Sequence, residues 1–221
     1  MVDFQERDTS RGFDSEEADE QDEAEAASAE GPQDDAPEHE SDMEQATGHE
    51  HDHHAHDLHH VGIGVLTVSS TRTLEDDPSG DAIAAAAEAE GHEVVTRELV
   101  RDDLDAVQSA VNNLVGRRDV DVVISTGGTG VSPDDVTIEA IEPLVDKDLP
   151  GFGELFRRRS YEDIGPKVVA TRATAGVADG VPVFALPGSR DAVELGVEEV
   201  ILPQIGHLAG LAQRGLHEHE E

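Results

Sequence analysis

The chain has 221 residues with 51 Asp and Glu against 15 Lys and Arg, a formal charge of −36, and no cysteine. That balance disfavours polyanionic partners, so neither nucleic acid nor an anionic membrane is expected, and disulfides, thiolate metal sites and cysteine nucleophiles are excluded. No apolar run reaches the ~18 residues a transmembrane helix needs, and the opening Met1-Val2-Asp3-Phe4 lacks a basic-then-apolar signal pattern, so a cytoplasmic protein is expected.

Charge and texture divide the chain. Residues 1–60 hold 21 acidic residues and two Arg, a formal −19, with few large apolar side chains. Such a segment cannot bury enough surface to offset its ordering entropy, and it reads as a disordered, acidic, His-rich N-terminal tail. Eight of the twelve His fall between 39 and 60, interleaved with Asp and Glu. Imidazoles beside carboxylates can bind Ni²⁺, Zn²⁺ or Cu²⁺ loosely; a solvated low-complexity linker explains the same residues. Residues 61–221 carry 30 acidic and 13 basic residues, and the whole chain has only two Lys. A compact state at that charge repels itself unless salt screens it, which points to a cytoplasm with molar salt, as in halophilic archaea. One domain is expected over 61–214, with 215–221 a second disordered acidic end.

In chain order, Val61 to Val68 is an unbroken apolar run and reads as a strand buried on both faces. Ser79 is placed to cap a helix through Asp81 to Ala87 that Gly91 ends. Val94 to Val100 is a second strand. Asp102 or Asp103 caps a helix carrying Leu104, Val107, Val111 and Leu114 on one face, stopped by Gly116. Val120 to Ser125 is the third strand, followed by Thr126-Gly127-Gly128-Thr129-Gly130-Val131-Ser132-Pro133-Asp134-Asp135-Val136-Thr137 and a helical pattern from Ile138 to Val145. Pro150 to Phe156 starts another helix. Pro182 to Leu186 is a strand ending in Pro187-Gly188-Ser189-Arg190, and helical runs at 192–202 and 204–214 close the chain. Strands alternating with helices predict an α/β fold: a three-layer α/β/α domain with a mostly parallel central sheet.

Ligands of open parallel sheets bind outside the carboxyl ends of the strands. The turns after the third strand and after the strand at 182–186 are both Gly-containing, so both should open onto one crevice. Gly127, Gly128, Thr129 and Gly130 offer backbone N–H groups to a phosphorylated ligand. Their spacing matches neither Gly-x-Gly-x-x-Gly nor the Lys-bearing phosphate loop.

The segment from Thr126 to Thr137 resembles the signature of the molybdopterin-binding family of molybdenum-cofactor biosynthesis proteins. Leu149 to Arg157, Ser160 to Gly165, Arg172 to Val177 and Leu186 to Ser189 resemble its MoaB branch, in the family's order, over about residues 61–214. Ser69-Ser70-Thr71-Arg72 stands where the molybdenum-insertion and CinA-like relatives carry Gly-Asp-Glu, which favours the MoaB/MogA group. The resemblance implies molybdopterin as ligand, a pterin with a dithiolene and a terminal phosphate. It also implies, for the MogA-type activity, adenylylation by Mg-ATP with release of pyrophosphate. Asp102 and Asp135 match family acids and are assigned to catalysis and to Mg²⁺ or ATP-phosphate positioning, the role such carboxylates suit. Gly188 and Ser189 are assigned with the glycine loop to substrate binding, and Arg72 and Arg172 to phosphate. Asp134 is a solvated neighbour, and Asp76 and Asp77 are structural.

The family also implies a homotrimer or hexamer and hand-over to a molybdenum-insertion protein. Departures stand out at Ser70, where the family often has Asp, and at Ile138 and Arg190, where Pro is common. Three functions remain open at this point: a molybdopterin adenylyltransferase, a non-catalytic molybdopterin binder, and a metal carrier acting through the His-rich tail.

Overall fold

Parallel strands buried on both faces need apolar residues at every position, and the runs that meet this condition form the sheet. The computed structural model describes residues 57–214, and the expectations for the His run and for disorder over 1–56 and 215–221 lie outside them. In chain order the elements are β1 (Gly62–Val68), α1 (Pro78–Ala89), β2 (Glu93–Val100), α2 (Leu104–Val115), β3 (Val122–Thr126) and α3 (Thr137–Ile141). Then come β4 (Lys147–Asp148), α4 (Pro150–Ile164), β5 (Thr174–Ala178), β6 (Val181–Leu186), α5 (Arg190–Gly196) and α6 (Ile205–Ala212). The sheet order is β2-β1-β3-β6-β5-β4. β2, β1, β3 and β6 run parallel, β5 is antiparallel to β6, and β4 is antiparallel to β5. The three-layer α/β/α expectation holds.

Alternation along the strands separates two cores. Ile63, Val65, Ile124, Phe184 and Leu186 face α1, α4, α5 and α6, meeting Ile83, Phe152, Phe156, Val193 and Ile205. Leu66, Val68, Val123 and Val183 face the other way onto Val107, Val111 and Leu114 of α2 and Ile138 and Ile141 of α3. Each such side chain contributes about 1.5–3 kcal/mol on full burial, so the sheet is fixed from both faces.

The structure departs from the sequence reading at four places and decides between the two caps offered for α2. The cap of α1 is Asp77, not Ser79: its carboxylate accepts from Gly80 N–H. The cap of α2 is Asp103, whose side chain accepts from Ala106 N–H. The helix from Thr137 stops at Ile141 and tightens into a 3₁₀ turn over Glu142–Leu144, because Pro143 cannot donate to a continued α ladder. The predicted helix at 192–202 widens into a π turn at Val197–Ile201, just ahead of Pro203. Finally, residues 57–60 belong with the domain rather than the tail. Leu58 N–H donates to Gly206 O at 3.1 Å, its side chain packs on the α4–α6 core, and Asp57 pairs with His207 at 2.8 Å.

Candidate functional site

Parallel pairing puts the carboxyl ends of β1, β3 and β6 side by side: Thr67 is opposite Thr126, and Thr126 is opposite Leu186. The turns that leave them, Ser69 to Arg72, Gly127 to Gly130 and Pro187 to Gly188, line one cleft of about 450 Å³. The two Gly-containing turns are stitched together. Gly127 N–H donates to Leu186 O at 3.0 Å and Thr126 Oγ1 donates to Pro187 O at 2.9 Å.

Glycine is required where the loop doubles back. Gly127 has φ 101° and Gly128 φ 63°. A Cβ at Gly127 would run into the carbonyl oxygen of Val68, and one at Gly128 into the hydroxyl of Thr137. Thr137 opens α3 and locks the loop, donating from Oγ1 to Gly127 O at 2.8 Å and from N–H to Gly128 O at 3.0 Å. The expected phosphate cradle is thus a stiff, preformed turn.

Both candidate acids line the cleft. Asp102 follows β2 and, with capping left to Asp103, is turned to Ser70, whose hydroxyl donates to Oδ2 at 2.7 Å. Asp135 is half-buried and its Oδ2 accepts from Ser132 N–H at 2.8 Å and Ser132 Oγ at 2.6 Å. Burial pushes its carboxyl up, but the bonds from Ser132 and Gly130 and the Arg172 charge outweigh this and hold it below the usual carboxylate range. Asp134 is exposed and off the cleft lining.

Of the remaining candidates, Gly127, Gly128, Thr129, Gly130, Gly188 and Arg72 line the cleft. Arg72 Nη1 donates to Ser79 Oγ at 2.9 Å and Nη2 to Gly188 O at 3.2 Å, so its guanidinium also ties three turns together. Arg172 does not line the cleft. Nε donates to Gly130 O at 2.6 Å, Nη2 to Asp135 O at 3.0 Å, and Nη1 to Glu139 Oε1, which makes it a clamp under the glycine loop rather than a phosphate ligand. Ser189 also lies off this cleft, exposed at the start of α5, because the chain turns away after Gly188. Arg190 is spent on Glu194, four residues on.

Asp77 is structural, as expected: it is 1 % exposed and accepts from Thr67 Oγ1 at 2.6 Å and Arg97 Nη2 at 3.1 Å. Burial raises its carboxyl, yet these bonds, the Gly80 N–H and the Arg97 charge bring it below the ordinary value. The sequence reading missed Ser70, Thr71 and Thr171 as lining residues. The sequence signal for Ser70 was its place in the first post-strand turn; its contact with Asp102, 32 residues away, was not legible.

The comparisons with known proteins agree with this geometry. The family model described as "Probable molybdopterin binding domain" matches residues 64–207. Molybdenum cofactor biosynthesis protein B of Bacillus subtilis (strain 168) is 48% identical over 147 residues, 65% of this chain and 85% of that protein. Its counterpart in Halalkalibacterium halodurans is 43% identical over 145 residues, again 65% and 85% of the two chains. A crystal structure of a molybdenum cofactor biosynthesis protein B superposes with a TM-score of 0.69 at 44% identity, covering 70% of this chain and 97% of the other. The tungsten cofactor synthesizing protein MoaB from Pyrococcus furiosus gives 0.59 at 39% identity, with 70% and 98% covered. With three turns converging on a glycine-lined cleft, and likenesses that span the whole domain, the chain belongs to the molybdopterin-binding domain family and, within it, to the MoaB group of molybdenum cofactor biosynthesis proteins.

Proposed function

We propose that this MoaB-group protein adenylylates molybdopterin. An oxygen of the terminal phosphate of molybdopterin attacks the α-phosphorus of ATP; the new P–O bond forms as the bond to the β-phosphate breaks, and pyrophosphate leaves. The observation that carries this reading is that Asp102 and Asp135 line the same cleft as the glycine turn.

The donor set fits Mg²⁺, which takes one or two carboxylates together with phosphate oxygens and retained waters. Asp102 and Asp135 would hold it, and when bound it neutralises charge on the phosphates. The remaining work belongs to the chain. The N–H groups of Gly128 to Gly130 orient phosphate oxygens, and Arg72 adds a cation at the wall. Ser70 fixes the Asp102 carboxylate, and Ser132 with Arg172 fixes the segment that bears Asp135. Positioning of this kind is the principal protein contribution to phosphoryl-group chemistry.

The test is pyrophosphate release from purified protein with molybdopterin and Mg-ATP in multimolar KCl. Release is expected, and Asp135→Asn is expected to abolish it while molybdopterin still binds. Binding without release by the wild type would make the protein a molybdopterin carrier. Unchanged turnover in the variant would sink the role of Asp135.

A further inference from the structure

The His-rich run joins the domain at the amino end of the sheet. Leu58 N–H bonds to Gly206 O, Asp57 pairs with His207, and His59 and His60 then lead into β1. His60 lies against the turn between α1 and β2, with Nδ1 2.7 Å from Gly91 O. A carbonyl only accepts, so Nδ1 carries the hydrogen, and in the neutral ring Nε2 keeps a bare lone pair. That nitrogen stands 3.7 Å from Glu93 Oε2. Two acceptors thus face a gap that only a proton or a cation satisfies. In the same turn His92 leaves Nδ1 with no hydrogen-bond partner among the described residues.

We propose that His60 Nε2 and Glu93 form the domain half of a binding site for a late divalent transition cation, Zn²⁺, Ni²⁺ or Cu²⁺, completed by imidazoles of the run from His49 to His56. The site is independent of the reaction at the glycine-lined cleft. A ligating His ordinarily donates its other ring N–H to a carbonyl or carboxylate, which fixes the tautomer and aims the ligating nitrogen; Gly91 O does this for His60. Two ligand atoms bound to one tetrahedral Zn²⁺ are about 3.3 Å apart, so His60 and Glu93, both well exposed, need to close by only about 0.4 Å. Among the described residues no third ligating side chain completes the set. Zn²⁺ takes four ligands, so further donors must be brought in. His49, His51, His53, His54 and His56 lie outside the described residues but are near along the chain. Chain length alone holds the Cα of His56 within about 14 Å of that of His60. Imidazole nitrogen selects these cations over Mg²⁺, which prefers oxygen ligands and retained water. β1 puts roughly 20 Å between this site and the cleft, so the cation held here is not the one that would serve Asp102 and Asp135. Its effect is to tie the His-rich run to the domain.

The experiment titrates Zn²⁺ into the metal-stripped full chain in KCl, with a chromophoric zinc chelator as competitor and amide NMR spectra recorded alongside. The tightest site is expected to weaken at least about tenfold in the double variant His60→Ala with Glu93→Gln, whose melting temperature in metal-free buffer checks the fold. In the wild type, the first equivalent is expected to shift the amide signals of His60, His92 and Glu93 and to leave those of Gly127 to Gly130 in place. Excess Mg²⁺ is expected not to displace Zn²⁺. Absence of zinc binding would overturn the site, as would wild-type affinity in the folded double variant, which confines the metal to the His run alone. Displacement by Mg²⁺, or first shifts at the glycine turn, would overturn it too, and the wild-type spectra decide the matter even if the double variant does not fold.

Discussion

Replacing Asp77 by Ala should destabilise the domain by about 4 kcal/mol. The carboxylate is buried where the end of β1, the start of α1 and β2 meet, and accepts from Thr67 Oγ1, Gly80 N–H and Arg97 Nη2. Loss of a helix cap costs about 1 kcal/mol. Thr67, itself 1 % exposed, would keep a hydroxyl with no acceptor, for about 1–3 kcal/mol more. Arg97 keeps Asp81 at 2.7 Å and its side chain is 26 % exposed, so its share is discounted to about 1 kcal/mol. At about 2–4 °C per kcal/mol for a domain of this size, the midpoint should fall by about 12 °C. Asp77→Asn retains one acceptor oxygen and should lose about half as much. Urea and thermal unfolding at fixed KCl measure both. The pH dependence has a definite sign. Because the folded carboxyl sits below its ordinary value, its stabilisation is complete above about pH 4 and is lost as pH falls through the folded value. The gap between wild type and Asp77→Asn should therefore close in acid. A loss below about 1 kcal/mol for the Ala variant, or a gap that is constant down to pH 2, would refute the account.

Arg172→Lys cannot reproduce the fork that reaches Gly130 O, Asp135 O and Glu139 together, so KM should rise about tenfold with a smaller change in kcat, and amide exchange should quicken over 128–136; a wild-type KM would refute the clamp. Gly127→Ala should cost more than about 3 kcal/mol, read as loss of soluble folded protein or of the melting transition, because a left-handed φ and a collision with Val68 O coincide. Melting temperature should climb as KCl is raised from about 0.1 to 2 M, since a formal charge of −36 is screened over that range. A flat response would contradict the need for salt.

Legibility followed burial. β1, β3 and β6 are buried along their whole length and could be read from unbroken apolar runs, and the turns at their ends came with them. β4 and β5 could not. β4 is two exposed residues, Lys147 and Asp148, and β5 is built of small residues around Gly176, where a Cβ would press into Val145 and the Lys147 carbonyl. Helix starts were ambiguous wherever two capping residues lay close together. Asp77 won over Ser79 because Thr67 and Arg97 are across from it, which no local pattern states. For the same reason Arg172 read as a phosphate ligand: its acidic partner, Glu139, is 33 residues away in the chain. The cleft's backbone was thus legible, and its side-chain pairings were not.

The lining of the cleft carries a kinetic consequence. Asp102 and Asp135 face one cation, Arg72, so the cleft does not oppose the acidic field of the chain with a positive one. Many enzymes draw anionic substrates in along a favourable potential, and their association rates fall as salt is added. Here an anion must climb toward its site, and the climb is steepest in dilute buffer. Added salt shortens the reach of that repulsion from about 10 Å at 0.1 M to about 3 Å at 1 M. Encounter should accelerate with ionic strength, making salt a determinant of how fast this cleft fills as well as of whether the domain stays folded.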